Sequence, residues 1–161
     1  HQDKILINEE HLAKGITNAK WPARMQNITN SRFGKLLNNG SELWLDGGHN
    51  PAAGQVVADS FKDRKLILIC GMMENKDASG YIQACKKRIS KFYGLQIDGE
   101  ASHSAANIIK IARSLKVNSA ATNSVEEALV KIGNKHEVTV IICGSLYLAG
   151  QVLADNALIP D

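Results

Sequence analysis

No apolar run in the chain approaches the roughly 20 residues that a membrane-spanning helix needs. The longest compact ones, Leu66–Cys70 and Val138–Cys143, are strand-sized. Cysteines number only three, and none stands in a C-x-x-C pair. Cys70 and Cys143 lie inside apolar runs and Cys85 inside a helical pattern, so reduced, buried thiols in a cytoplasmic protein are expected. The histidines His1, His11, His49, His103 and His136 are scattered, which excludes the close, regular spacing of a zinc site, and no metal ligands are expected in this chain. Charge of one sign is also lacking. Nineteen Lys and Arg face sixteen Asp and Glu, a net of +3, and the basic residues form no single block. No strong cationic field results, so a dedicated nucleic-acid binder is not expected. Internal repeats and low-complexity tracts are absent. There is no initiator Met, and the first 20 residues lead into no sustained apolar run, period or cap. Residues 1–20 are therefore expected to be a linker or the remnant of a cut, with no secretory leader, and residues 21–161 to be one domain.

What is present is ordinary globular material, 44% apolar and 22% charged. A chain of this length can bury roughly 70% of its unfolded surface. From residue 42 the pattern alternates. Glu42–Asp46 reads as a strand, Pro51–Lys62 as a helix, Leu66–Cys70 as a strand buried on both faces, and Ser79–Ser90 as a helix. Phe92–Ile97 reads as a weaker strand, Ser104–Leu115 as a helix, and Ser119–Ala121 as a short strand. Ser124-Val125-Glu126-Glu127 is a capping box whose helix runs to about Ile132; Val138–Cys143 is a strand and Leu146–Ala154 the last helix. Asn27–Leu37 reads as a polar hairpin leading into the sheet, with Asn38-Asn39-Gly40 as a turn. The alternation predicts an α/β fold, a mainly parallel sheet of about six strands with helices on both faces.

Open sheets of this kind bind ligands beyond the carboxyl ends of their strands. Three loops follow strands. The first, Asp46-Gly47-Gly48-His49-Asn50-Pro51, converges a carboxylate, an imidazole and a helix start, with Asn50 as cap and Pro51 as first helical residue. A phosphate suits the helix start but not the adjacent Asp46, which would more naturally accept a ribose hydroxyl. The plain alternative is a connection whose Asp and His are merely solvated. The second, Gly71-Met72-Met73-Glu74-Asn75-Lys76-Asp77, offers a cation for a substrate carboxylate, or else a solvated loop with Asp77 as cap. The third, Gly144-Ser145-Leu146-Tyr147, allows close backbone approach, with Ser145 as a possible simple cap. The patterns G-x-x-x-x-G-K-[ST], G-x-G-x-x-G and G-x-S-x-G are all missing. Any triphosphate grip would have to come from another domain.

These segments, preceded by Trp21-Pro22-Ala23-Arg24 and closed by Cys143-Gly144-Ser145-Leu146-Tyr147-Leu148-Ala149-Gly150, stand in an order that resembles the C-terminal domain of the folylpolyglutamate synthase/dihydrofolate synthase family, within the Mur ligase superfamily. The resemblance covers about residue 15 to the end. It implies a Rossmann-like domain that works with an N-terminal ATPase domain carrying the P-loop and the Mg²⁺ ligands. It implies an ATP-dependent ligase that joins L-glutamate to folate or dihydropteroate through an acyl phosphate, acting as a cytoplasmic monomer. By the same resemblance Arg24 and His49 are catalytic; Arg24, Asp46, His49 and Asn50 contact the nucleotide; and Lys76, Asp77 and Ser145 contact substrate. Ala23 replaces a frequent glycine. A cell-wall peptide ligase of the same superfamily, or a binding module that kept the fold and lost catalysis, are the competing readings.

Overall fold

A computed structural model describes residues 21–133 and 136–158. Residues 1–20, read above as a linker, lie outside the described residues. Six strands form one sheet: β1 (Gln26–Asn27), β2 (Glu42–Asp46), β3 (Leu66–Cys70), β4 (Ile89–Gly94), β5 (Ser119–Ala121) and β6 (Thr139–Cys143). Their spatial order is β1-β2-β6-β3-β4-β5. Only β1 runs antiparallel, against β2; the other pairs are parallel. Four α-helices connect β2 through β6 in turn, α1 (Pro51–Ser60), α2 (Ala78–Cys85), α3 (Ala105–Ser114) and α4 (Val125–Ile132), and a fifth, α5 (Leu146–Asp155), follows β6. Among the described residues no helix is long and apolar enough to cross a membrane.

Strand alternation divides the core in two. Leu43, Leu45, Ile69, Val140 and Ile142 face α4 and α5; Leu66, Leu68, Cys70, Ile141 and Cys143 face α1, α2 and α3. All five residues of β6 are buried, as its unbroken apolar run requires of a central strand covered on both faces. Trp44 packs edge-on against Phe61, ring centroids 5.5 Å apart. The three cysteines are free and buried.

The bounds around α2 and β4 differ from the sequence reading. Helix α2 ends at Cys85, and the basic stretch Lys86–Arg88 turns the chain into β4, which begins at Ile89 rather than Phe92. Leu95 and Ile97 are buried because they pack over Gly71, not because they continue the strand. The Asn27–Leu37 segment is not a hairpin. β1 pairs with β2 across a long connection that holds turns and a single 3-10 turn at Gly34–Leu36.

The capping box forms with a shift. Ser124 Oγ accepts from the Glu127 amide at 3.0 Å, while the Glu127 carboxylate accepts from the amide of Asn123 rather than that of Ser124, at 2.7 Å. Glu127 also meets Lys131 one turn on, at 2.6 Å. The Lys131 ammonium first and the Asn123 amide second hold its carboxyl down to about 2 from the usual 4.5. A depressed carboxylate contributes stability that is complete above its unfolded value and lost as pH falls through its folded one. The urea midpoint should therefore fall between pH 5 and pH 2, and Glu127→Gln should flatten part of that fall. An unchanged pH profile in Glu127→Gln would refute the assignment.

Candidate functional site

The last residues of the parallel strands lie in register: Asp46 opposite Cys143, Cys143 opposite Cys70, Cys70 opposite Gly94, and Gly94 opposite Ala121. The loops therefore leave one common edge. Asp46 and Cys70 flank the central strand, so their loops start two strand spacings apart, about 10 Å.

Asp46 is buried, with 5% of its surface exposed. Burial pushes its carboxyl above the usual carboxylate range, while the backbone amides of Met25 and Gly48, then Arg24 and His49, pull it back. A Cβ on Gly48 would lie 2.7 Å from Asp46 Oδ2 and 2.5 Å from Ala53 Cβ, so only glycine lets the amide close on the carboxylate here. The Gly47 amide donates to the Ala23 carbonyl at 2.7 Å, which ties the Trp21–Arg24 segment to this loop. Ala23 and Met25 both take left-handed backbone, φ 56° and 44°, on either side of exposed Arg24. A position where the resembled family often has glycine thus carries the torsion that glycine adopts most readily. His49 Nδ1 lies 3.1 Å from the Gly47 carbonyl oxygen; that contact orients the ring when Nδ1 carries the proton.

Asn50 caps α1, its Oδ1 accepting from the Ala53 amide at 2.9 Å. Asp77 caps α2, accepting from the Gly80 amide at 2.8 Å. Ser145 caps α5; it is buried and its Oγ accepts from the Tyr147 amide at 3.1 Å, which leaves the hydroxyl proton to donate. Each of these three side chains therefore has a structural bond whatever else it contacts. Lys76 is half-buried on the same loop as Asp77.

The first two loops meet. Helix α1 packs on α2 so closely that a Cβ on Gly54 would lie 2.5 Å from the Tyr81 carbonyl oxygen, and one on Gly80 would lie 2.7 Å from Pro51. Two helix N-termini thus stand side by side at the strand-end pole, and their unpaired amides and dipoles favour an anion there. The structure brings Arg24, Asp46 and His49 together, and sets the starts of the Asn50 and Asp77 helices against each other.

Sequence reading missed two features of this pole. The segment before α3 stitches down the second loop: the Glu74 amide donates to the Ala101 carbonyl at 3.1 Å and the His103 amide to the Met72 carbonyl at 2.9 Å. Its only sequence signal is the cap Ser104. Trp21, Leu146 and Tyr147 are exposed large apolar residues, at 72%, 47% and 56%. Leu146 lies over Gly47, where a Cβ would fall 2.3 Å from its Cδ2. Among the described residues no group of three His, Cys, Asp or Glu side chains is placed to hold a metal ion.

The sheet order and the strand-end loops define a Rossmann-like α/β domain. Residues 24–146 match the family model of the Mur ligase glutamate ligase domain, and the chain belongs to that family. A dihydrofolate synthase/folylpolyglutamate synthase of Haemophilus influenzae is 25% identical over 92% of this chain, which spans 38% of that protein's length. The fold is that of Mycobacterium tuberculosis folylpolyglutamate synthase complexed with ADP and AMPPCP (TM-score 0.78, 13% identity, 96% of this chain and 36% of that one). It is also that of the bifunctional folylpolyglutamate synthase/dihydrofolate synthase of Yersinia pestis complexed with AMPPNP and Mn ion (TM-score 0.70, 23% identity, 94% and 35%).

Proposed function

We propose that this chain is the C-terminal domain of an ATP-dependent ligase that adds L-glutamate to folate or dihydropteroate. The observation that carries the reading is the convergence of Arg24 and His49 on buried Asp46, beside paired helix N-termini. In such a reaction the substrate carboxylate attacks the γ-phosphorus of ATP and ADP leaves. The amine of glutamate then attacks the acyl carbon, phosphate departs and the amine loses a proton. Arg24, permanently charged and exposed, suits the phosphate that gathers negative charge during transfer. Asp46, an acceptor fixed by two amides, suits a ribose hydroxyl. His49 and Asn50 sit at the start of α1 on the nucleotide side, while Lys76 suits a glutamate carboxylate, with Asp77 beside it in the chain and Ser145 on the loop after the neighbouring strand as further substrate contacts. Mg²⁺ would neutralise phosphate charge, and the family resemblance assigns its ligands to an N-terminal ATPase domain. Exposed Trp21, Leu146 and Tyr147 are the apolar surface such a domain would cover, excluding water from the acyl phosphate.

The test is phosphate release from Mg·ATP by the whole protein, with and without L-glutamate, in the presence of dihydropteroate or a reduced folate. Release that depends on glutamate and on one of these acceptors is expected. Release that requires a cell-wall peptide precursor instead, or none at all, would overturn the reading. The chain alone holds one wall of the cleft, so calorimetry should find Mg·ATP bound no more tightly than about millimolar, ~4 kcal/mol. A micromolar Kd would contradict the division of the site between two domains.

A further inference from the structure

The turn that hands the chain to β2 takes no part in the proposed reaction. It lies at the strand-start pole, where Asn38-Asn39-Gly40 stands out in the sequence. The Ser41 amide donates to the Asn38 carbonyl at 3.0 Å, so Asn39 and Gly40 are the two central residues of a β-turn. Both are exposed. Gly40 has φ 93°, a torsion that an L side chain adopts only under strain, so the fold itself asks for glycine after Asn39.

Asparagine followed by glycine is the least stable of the asparagine sequences. The backbone nitrogen of the next residue can attack the side-chain amide carbon, and glycine, lacking a Cβ, hinders that approach least. Glycine follows no other asparagine of the chain. Among the described residues neither the Asn39 side chain nor the Gly40 amide takes part in a hydrogen bond, so electrophile and nucleophile are both unencumbered. Two asparagines followed by serine are placed differently. The Ser31 amide, which would attack Asn30, donates to the Ile28 carbonyl at 3.0 Å, and Ser31 is buried. Asn118 Oδ1 accepts from Lys91 Nζ, also at 3.0 Å.

We propose that Asn39 is a site of spontaneous deamidation, and that its product loosens the start of β2. The Gly40 nitrogen loses its proton to solvent hydroxide and attacks Asn39 Cγ. That N–C bond forms, the bond from Cγ to the amide nitrogen breaks, and the amide nitrogen takes up a proton and leaves as ammonia. A water molecule then opens the ring. Cleavage between the Gly40 nitrogen and Cγ gives aspartate. Cleavage between the Gly40 nitrogen and the backbone carbonyl carbon of residue 39 gives isoaspartate, whose main chain runs through the side chain and is longer by a carbon. Oxidation states do not change, and solvent supplies every co-reactant.

The lengthened link falls where pairing begins. Ser41 Oγ accepts from the Val138 amide at 3.1 Å, and the Glu42 amide donates to the Val138 carbonyl at 2.9 Å. The Glu137 carboxylate lies against the α-carbon of Gly40, so a new carboxylate at residue 39 also adds a like charge beside it. Leu43 and Leu45 are fully buried, so β2 keeps its register and the damage stops short of Asp46. The inference does not depend on the proposed ligase reaction.

The test ages the full chain for days at mildly alkaline pH and physiological temperature, with a peptide of residues 37–42 aged alongside. Products are mapped by mass spectrometry and by enzymatic methylation of isoaspartate. Most of Asn39 should convert before product appears at Asn30 or Asn118, with isoaspartate exceeding aspartate. Asn39→Gln should remove that product and melt like the parent. The isolated isoaspartyl form should melt below the parent, and Asn39→Asp, which carries the charge without the extra carbon, should lose less. An Asn39 that survives in the folded chain while the peptide reacts, conversion at Asn30 or Asn118 at an equal rate, or an isoaspartyl form that melts with the parent would each overturn the proposal.

Discussion

Gly144→Ala should lower the stability of the domain by about 3–5 kcal/mol, read as a shift of the urea midpoint. Gly144 has φ 103°, a torsion that an L side chain rarely adopts. A Cβ there would lie 2.5 Å from the Gly71 carbonyl oxygen and 2.7 Å from Cys70 Sγ. Neither neighbour can give way. The Gly71 amide donates to the Cys143 carbonyl, so the exits of β3 and β6 interlock, and Cys70 is part of the packed core. The substitution therefore combines backbone strain with overpacking, at the point where Ser145 is positioned. Gly150→Ala is the internal control. Gly150 lies within α5, and a Cβ there meets nothing within 4 Å. It should stabilise by up to about 1 kcal/mol, the helix propensity difference. A loss below ~1 kcal/mol for Gly144→Ala would show that the two loops move apart more freely than their bonding implies.

Arg24→Ala in the whole enzyme should reduce turnover about ten- to a hundredfold, the effect of losing a charge-assisted contact of roughly 1.5–3 kcal/mol. Arg24 is exposed, so the melting temperature should not change. Asp46→Ala should cut turnover by a similar factor, but with a cost in stability as well, since two backbone amides lose their acceptor. Lys76→Ala should raise the KM for glutamate more than that for ATP. Full activity in both the Arg24 and Asp46 variants would remove the nucleotide role from this pole. Equal KM effects in the Lys76 variant would remove its assignment to glutamate.

Legibility followed burial. The runs LILIC and VTVIIC have few uses other than two-sided strands, and β3 and β6 occur there. Caps were equally plain, because Asn50-Pro51, Asp77, Ser124 and Ser145 each precede a helix for a local chemical reason. Ile89-Ser90 reads as a helix end because β4 starts at the edge of the molecule, where its first residues are only partly covered. Residues 27–37 read as a hairpin, and wrongly, since the pairing that defines β1 lies across from residues 44 and 45. The candidate site was half legible. Asp46 and His49 announce themselves within six residues, whereas the contact of Pro51 with Gly80 is a tertiary event, visible only once two helices cross at glycines.

The position of β6 bears on how the chain acquires its structure during synthesis. Strands β2 and β3 do not touch; each pairs with β6, which is encoded last of the three. Until residues 139–143 have left the ribosome, β2 and β3 each present an open apolar edge, and the β1-β2 pair and the β3-β4-β5 set have no strand to join them. A nascent chain of this domain can pair β3, β4 and β5 early, but it joins them to β2 only when its last strand arrives. For that interval the open edges of β2 and β3 are targets for chaperones or for pairing with a neighbouring copy.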